Sequence, residues 1–279
     1  MKTFNCVTID YYREHELLLW KIKNTGMPNF CYHGLKEFKD CIQWIQSYFS
    51  HPDRPVKFVV SASEHEGIYN MGGDLPYFLK HIKTKDKEAL TRYAHLCVDA
   101  IYAIYTAFGL PAISIALVEG NAYGGGFECA LAHDFILAEE HAKFCFPEQK
   151  FNLFPGMGAY SFLPRKANFL DAQTILKNGE LYSAKELYKK GLIHKVEQKG
   201  QTMMALYDFI NKTKSAFNFE YHHIKCLKKM NPVSKEELIE ITDLWVDACL
   251  KIGAFDLRKI EAFGNAQSRK AGVSLNATP

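Results

Sequence analysis

Three glycines run directly into a carboxylate in Gly124-Gly125-Gly126-Phe127-Glu128, where a buried-strand pattern gives way to a helical one. Successive glycines let the backbone turn sharply and approach a ligand closely, and the first turn of a helix leaves N–H groups without partners inside the helix. An oxygen gaining negative charge suits such a place, as does a phosphate, and close packing alone would use the same glycines. A second small pair, Gly72-Gly73, precedes Asp74-Leu75 and follows another apolar run. It could turn one more N–H toward the same point, or form a plain turn with Asp74 capping the next helix. The third string is Phe146-Pro147-Glu148, in which proline ends a strand and fixes the turn that carries the acid. Alone, a Pro-Glu after a strand is an ordinary surface feature; together with Glu128, twenty positions earlier, it supplies a pair of carboxyls for general acid and base work.

The elements that must position these residues read as an α/β alternation. FNCVTI and ELLLWKI are β-rich runs, with a turn expected at Asn24-Thr25-Gly26-Met27-Pro28. Leu35, Phe38, Ile42, Ile45 and Phe49 recur at steps of three and four, which predicts a helix with one face on a core. VKFVV after Pro55 and AISIALVEG after Pro111 are continuous apolar runs of the kind found in strands buried on both faces. The stretch SASEHEGIYNMGGDL between them reads as a loop, and residues from about Thr84 to Phe108 as one long helix stopped by Gly109 and Pro111. Beyond the three glycines, FECALAH continues as a helix, DFILAEE as a strand, and KFCFPEQKF as a strand ending in a loop. The alternation lasts to about residue 198, and the chain from Gln201 onward is almost purely helical, broken at Pro232 and Gly253. We therefore expect a core over 1–200 and a helical region over 201–279.

The order of the three strings, each at the end of a strand, resembles the crotonase (enoyl-CoA hydratase/isomerase) superfamily over about residues 10–200. GNAYGGGFECAL, FPEQKFNLFPGMGAYSFL and LYSAKELYKKGLIHKV are more similar to synthases of the diffusible signal factor, a cis-2-unsaturated fatty acid. The run FPGMGAYS at 154–161 tips that comparison. The resemblance implies an α/β core of repeated ββα units and an oxyanion hole from the Gly73 and Gly125 amides, with Gly72 shaping the first loop. It also implies Glu128 and Glu148 as the catalytic pair flanking C2 and C3 of an acyl thioester. Two carboxyls in one apolar pocket cannot both ionise cheaply, so at least one pKa is expected to rise toward neutrality; which glutamate is the base stays open. Leu153, Phe154, Met157 and Trp245 are candidates to contact the acyl chain, with Leu250 and Phe263 also placed to close over it. His133 is read as structural. The implied reaction is dehydration of a 3-hydroxyacyl group on acyl carrier protein followed by thioester hydrolysis. Rival readings are a hydratase or isomerase on CoA thioesters, and a non-catalytic binding protein on the same fold. The substrate carrier, acyl carrier protein or CoA, stands in for any cofactor; the resemblance further implies self-association as a trimer or hexamer, and some of the similar signal synthases have a regulatory sensor kinase as partner.

Composition narrows the field. With 279 residues, 48% of them hydrophobic, the chain can bury one sizeable core plus an appended helical unit. A formal charge of +3 without a basic stripe argues against nucleic acid as the main partner. The local cluster Lys80, His81, Lys83, Lys85 and Lys87 could meet a phosphate or an acidic carrier protein, or be a solvated face. No signal-peptide run or membrane span is evident, which points to the cytoplasm. Eight cysteines lie far apart, without C-x-x-C pairs or zinc-type histidine spacing, and read as reduced core or surface residues with no metal site.

Overall fold

Alternation along the apolar runs decides the layers. The computed structural model describes residues 2–23 and 26–270, so Asn24 and Thr25 of the expected turn lie outside the described residues. The first strands are β1 (Val7–Tyr12) and β2 (Leu17–Ile22), paired antiparallel and followed by helix α1 (Tyr32–Tyr48). Next come β3 (Phe58–Ser63), β4 (Gly67–Asn70), α2 (Leu75–Lys83) and α3 (Lys87–Tyr105). The pattern repeats with β5 (Ile113–Val118), β6 (Gly120–Tyr123) and α4 (Gly125–Leu131), then β7 (Phe135–Glu139), β8 (Lys143–Cys145) and a 3-10 turn over Pro147–Phe151. The core ends with α5 (Ala159–Lys166), α6 (Phe169–Asn178), β9 (Tyr182–Ser183), α7 (Ala184–Lys189) and β10 (Lys195–Glu197). Four helices follow: α8 (Thr202–Ser215), α9 (Phe217–Met230), α10 (Lys235–Cys249) and α11 (Ala254–Lys270).

β1 and β2 share one sheet, whereas the pairs β3–β4, β5–β6 and β7–β8 each give their first strand to that sheet and their second to another. The six-stranded sheet has the order β1-β2-β3-β5-β7-β10, parallel from β2 onward, and the four-stranded sheet has the order β4-β6-β8-β9. This is the repeated ββα architecture expected from the sequence, and the helical C-terminal region is present as well. In the large sheet Leu18, Trp20, Val59, Ala116, Val118 and Ile136 face one core, while Leu17, Leu19, Phe58, Val60, Ile115 and Leu137 face a second. Both faces are covered, by α1 and α3 on one side and by Leu206 and Ile210 of α8 on the other, so these strands need no polar alternation.

Two sequence readings are corrected. The stretch taken as a loop before Asp74 contains β4, whose apolar content is only Ile68 and Tyr69; it is held by parallel pairing to β6, a long-range contact that leaves little local signal. The first strand begins at Val7 rather than Phe4. The expected capping role of Asp74 is present: Tyr77 N–H donates to its Oδ1 at 3.1 Å. The helix expected from about Thr84 starts at Lys87, capped by Asp86, which accepts from Ala89 N–H at 2.9 Å.

Candidate active site

The two glycine loops meet backbone to backbone. A Cβ on Gly72, whose φ is +89°, would lie 2.7 Å from Tyr123 O and 2.9 Å from Gly125 N, so only glycine lets the loops approach this far. The first loop is tied by Phe30 N–H donating to Gly72 O at 2.8 Å and by Gly72 N–H donating to Asn70 Oδ1 at 2.7 Å. The second is tied by Gly124 N–H donating to Cys145 O at 2.9 Å. Among the described residues neither the Gly73 nor the Gly125 amide is spent on a backbone carbonyl.

Glu128 sits in the first turn of α4 and is 1% exposed. Its Oε1 accepts from Met157 N–H at 2.7 Å and Ala159 N–H at 2.9 Å. Burial pushes its pKa up to about 7, held from going higher by the amides of residues 157–159. Glu148, in the 3-10 turn that Pro147 opens, is partly exposed as a residue, yet its Oε2 is buried and has no hydrogen-bond partner among the described residues. Burial and then the negative charge of Glu128 push it up to about 8. Both carboxyls line one cavity, open at its mouth.

The cavity walls are mostly apolar. Gly73, Gly125, Leu153, Met157, Trp245 and Phe263 line it, whereas Gly72 backs Gly125 without lining it. Phe154 and Leu250 do not line it: Phe154 packs edge-on against Tyr160 at 5.7 Å, and the Leu250 carbonyl accepts from Lys85 Nζ at 2.5 Å. Sequence reasoning missed Leu75 and Phe78 of α2, Tyr93 and Cys97 of α3, and Gln267 of α11. The helical periodicity that buries Tyr93 and Cys97 was visible, but which buried face borders a cavity depends on long-range packing.

The basic cluster near this cavity is largely engaged. Lys87 pairs with Asp247 at 2.7 Å, His81 lies 3.2 Å from Asp86, and Lys83 approaches Glu261 at 3.9 Å; outside the cluster, His95 meets Asp243 at 2.7 Å. With Lys85 on Leu250, the contacts to Asp243, Asp247 and Glu261 fasten α10 and α11 against α2 and α3 at the cavity. His133, by contrast, lies past the far end of α4, where its Nδ1–H donates to Cys129 O at 2.8 Å and burial pulls its pKa down to about 4. Six cysteines are buried, and desolvation pushes the thiols of Cys41 and Cys129 up to about 12, away from nucleophilic chemistry. Among the described residues no group of three or more metal-binding side chains is assembled, and no helix is long and apolar enough to cross a membrane.

The acid pair has a consequence for stability. Unfolded, these carboxyls lose their protons near the ordinary 4.5; folded, only near 7 and 8. In that interval the folded chain binds more protons, so its stability falls as pH rises from the unfolded value through the folded ones. Glu148→Gln removes one such group. Calorimetry should find its Tm above wild type at pH 9, with the gain vanishing at pH 5; a gain independent of pH would mean that Glu148 titrates normally.

The two-sheet ββα fold, with an acid pair below two touching glycine loops, is that of a crotonase-type protein. Residues 35–247 match the enoyl-CoA hydratase/isomerase family, and the chain belongs to it. Among curated relatives, the fatty acid oxidation complex subunit alpha of Pseudomonas savastanoi is 26% identical over 204 residues, 73% of this chain but 27% of that protein. The carnitinyl-CoA dehydratase of Salmonella paratyphi A is 36% identical over 96 residues, 34% of this chain and 37% of that one. The chain thus spans well under half the length of these relatives. Among solved structures, enoyl-CoA hydratase from Bacillus halodurans superposes with a TM-score of 0.77 at 21% identity, covering 92% of this chain and 99% of that one. DspI of Pseudomonas aeruginosa gives 0.70 at 22%, covering 96% and 97%. These structural likenesses speak for the fold.

Proposed function

We propose that this protein removes water from a 3-hydroxyacyl thioester on acyl carrier protein and then hydrolyses the thioester, releasing a cis-2-unsaturated fatty acid. The observation that carries this reading is the convergence of Glu128, Glu148, Gly73 and Gly125 on one apolar cavity. The Gly73 and Gly125 amides hold the thioester oxygen as it becomes enolate-like, each donor contributing about 2.7–4 kcal/mol to the transition state. One carboxylate takes the C2 proton while the other, protonated, gives its proton to the departing 3-hydroxyl, which leaves as water. Between their two pKa values the pair holds one proton, on Glu148 for the larger share of the time, because amides stabilise the Glu128 anion and nothing bonds Glu148 Oε2 among the described residues. The proton that Glu128 took from C2 passes to Glu148, which gave its own to the departing water; Glu128, ionised again, then activates a second water for attack on the thioester carbonyl. The C–S bond breaks, the thiol leaves with a proton, and the acid is freed. Leu153, Met157 and Trp245 contact the chain; Met157, beside Gly125, is the adaptable one.

A second reading, hydration of an enoyl-CoA, is favoured by the family match and by relatives named for CoA substrates. Incubation with a 3-hydroxyacyl carrier protein and, separately, a trans-2-enoyl-CoA, followed by mass spectrometry, decides between them. Free cis-2-enoic acid from the first substrate is the expected result. Inertness there with rapid hydration of the second would replace the first reading by the second.

A further inference from the structure

We infer that Thr242, on α10, is a positioning residue for Glu128, acting through the single peptide group that joins Gly156 to Met157. The Thr242 hydroxyl is buried and donates to Gly156 O at 2.5 Å. The N–H of the same peptide group, on Met157, donates to Glu128 Oε1 at 2.7 Å. A peptide is planar, and in its trans form the C=O and N–H point in opposite directions. Fixing the carbonyl therefore aims the amide, and the chain of two bonds polarises in one sense, from hydroxyl to carbonyl and from amide to carboxylate.

Packing enforces the same alignment. Gly156 lies against Trp245, one turn beyond Thr242: a Cβ on Gly156 would sit 2.6 Å from Trp245 Cγ and 2.8 Å from its Cβ. The indole thus lies flush against the backbone of Gly156, with no room for a side chain between them. Ala159 N–H completes the cradle at 2.9 Å, two residues past Met157. The C-terminal helices thus reach the chemistry without contributing an acid or base. They set the direction of an amide that a distant carboxylate depends on, which gives the Pro155-Gly156-Met157-Gly158-Ala159 stretch a physical role.

This inference rests on the reading that Glu128 works in its ionised form, and its test separates the two. The Glu128 carboxyl is titrated by carbon-13 NMR in protein labelled at glutamate side chains, its signal assigned by disappearance in Glu128→Gln. Thr242→Val fills the same space without the hydroxyl; Thr242→Ser keeps the hydroxyl. The Val variant should titrate higher than wild type by about half a unit or more, since a hydrogen bond favouring the charged form is weakened. Its kcat on the acyl thioester should fall roughly tenfold near neutrality with KM little changed, and Ser should restore both. A folded Val variant whose Glu128 midpoint does not move overturns the inference. If the midpoint moves while Glu128→Gln keeps full turnover, the positioning stands and the catalytic reading falls. Should the Val variant not fold, Thr242→Ala, which opens space rather than filling it, is titrated in the same way with the same two outcomes.

Discussion

Glu128→Gln and Glu148→Gln should each lower kcat on the turned-over thioester by on the order of 10²–10⁴, the usual worth of a positioned acid or base. Both variants should fold. In Glu128→Gln the side-chain carbonyl oxygen can still accept from the Met157 and Ala159 amides. In Glu148→Gln a neutral group replaces a carboxyl that is already uncharged much of the time in the folded chain. The double variant should be little worse than either single one, because the two groups act as a unit around one shared proton. The pH dependence is the sharper measure. Activity should rise as Glu128 ionises near 7 and fall as Glu148 loses its proton near 8, which gives a narrow bell in kcat/KM. Wild-type turnover that persists in both single variants would remove the acid pair from the mechanism.

The residues that meet at the candidate site are legible in the chain where they stand in short contiguous strings. The three glycines before Glu128 and the Pro147 before Glu148 impose local geometry, and local geometry is what a sequence encodes most directly. Two carboxyls in one apolar pocket predict at least one raised pKa; burial raises both, to about 7 and about 8. The cradle around Glu128 could not be read in this way. Met157 and Ala159 contribute backbone amides, which nearly every residue possesses, and nothing in their side-chain types signals the use. Phe154 sits in the same run as Met157 yet packs against Tyr160, since neighbouring residues on an irregular loop point in different directions. Whether the cluster at Lys80, His81, Lys83, Lys85 and Lys87 is a docking face or a solvated one is open in the sequence, and the ion pairs of Lys87 with Asp247 and Lys83 with Glu261 join residues more than a hundred positions apart, which no local pattern signals. Strand β4 escaped for the same reason: its stability is borrowed from β6.

Gly72→Ala should be the most damaging change that leaves every acid and every wall residue intact. Two effects combine at this position and can be separated. Placing alanine at a φ of +89° carries a left-handed penalty of roughly 1–2 kcal/mol wherever it occurs. The added methyl would also stand 2.7 Å from Tyr123 O and 2.9 Å from Gly125 N, both rigid backbone atoms. The loops must then part, and the Gly73 amide moves away from the Gly125 amide. If those amides share one oxygen, as proposed, losing that alignment should lower kcat by about 10²–10³. Gly191 provides the control, with a φ of +76° and no atom within 4 Å of an added Cβ. Gly191→Ala should show the backbone penalty in its melting temperature and keep its turnover, while Gly72→Ala should show a comparable or larger loss of stability and lose turnover as well. Equal activity in the two variants would mean that the contact between the loops serves packing alone, and the oxyanion role of Gly73 and Gly125 would fall with it.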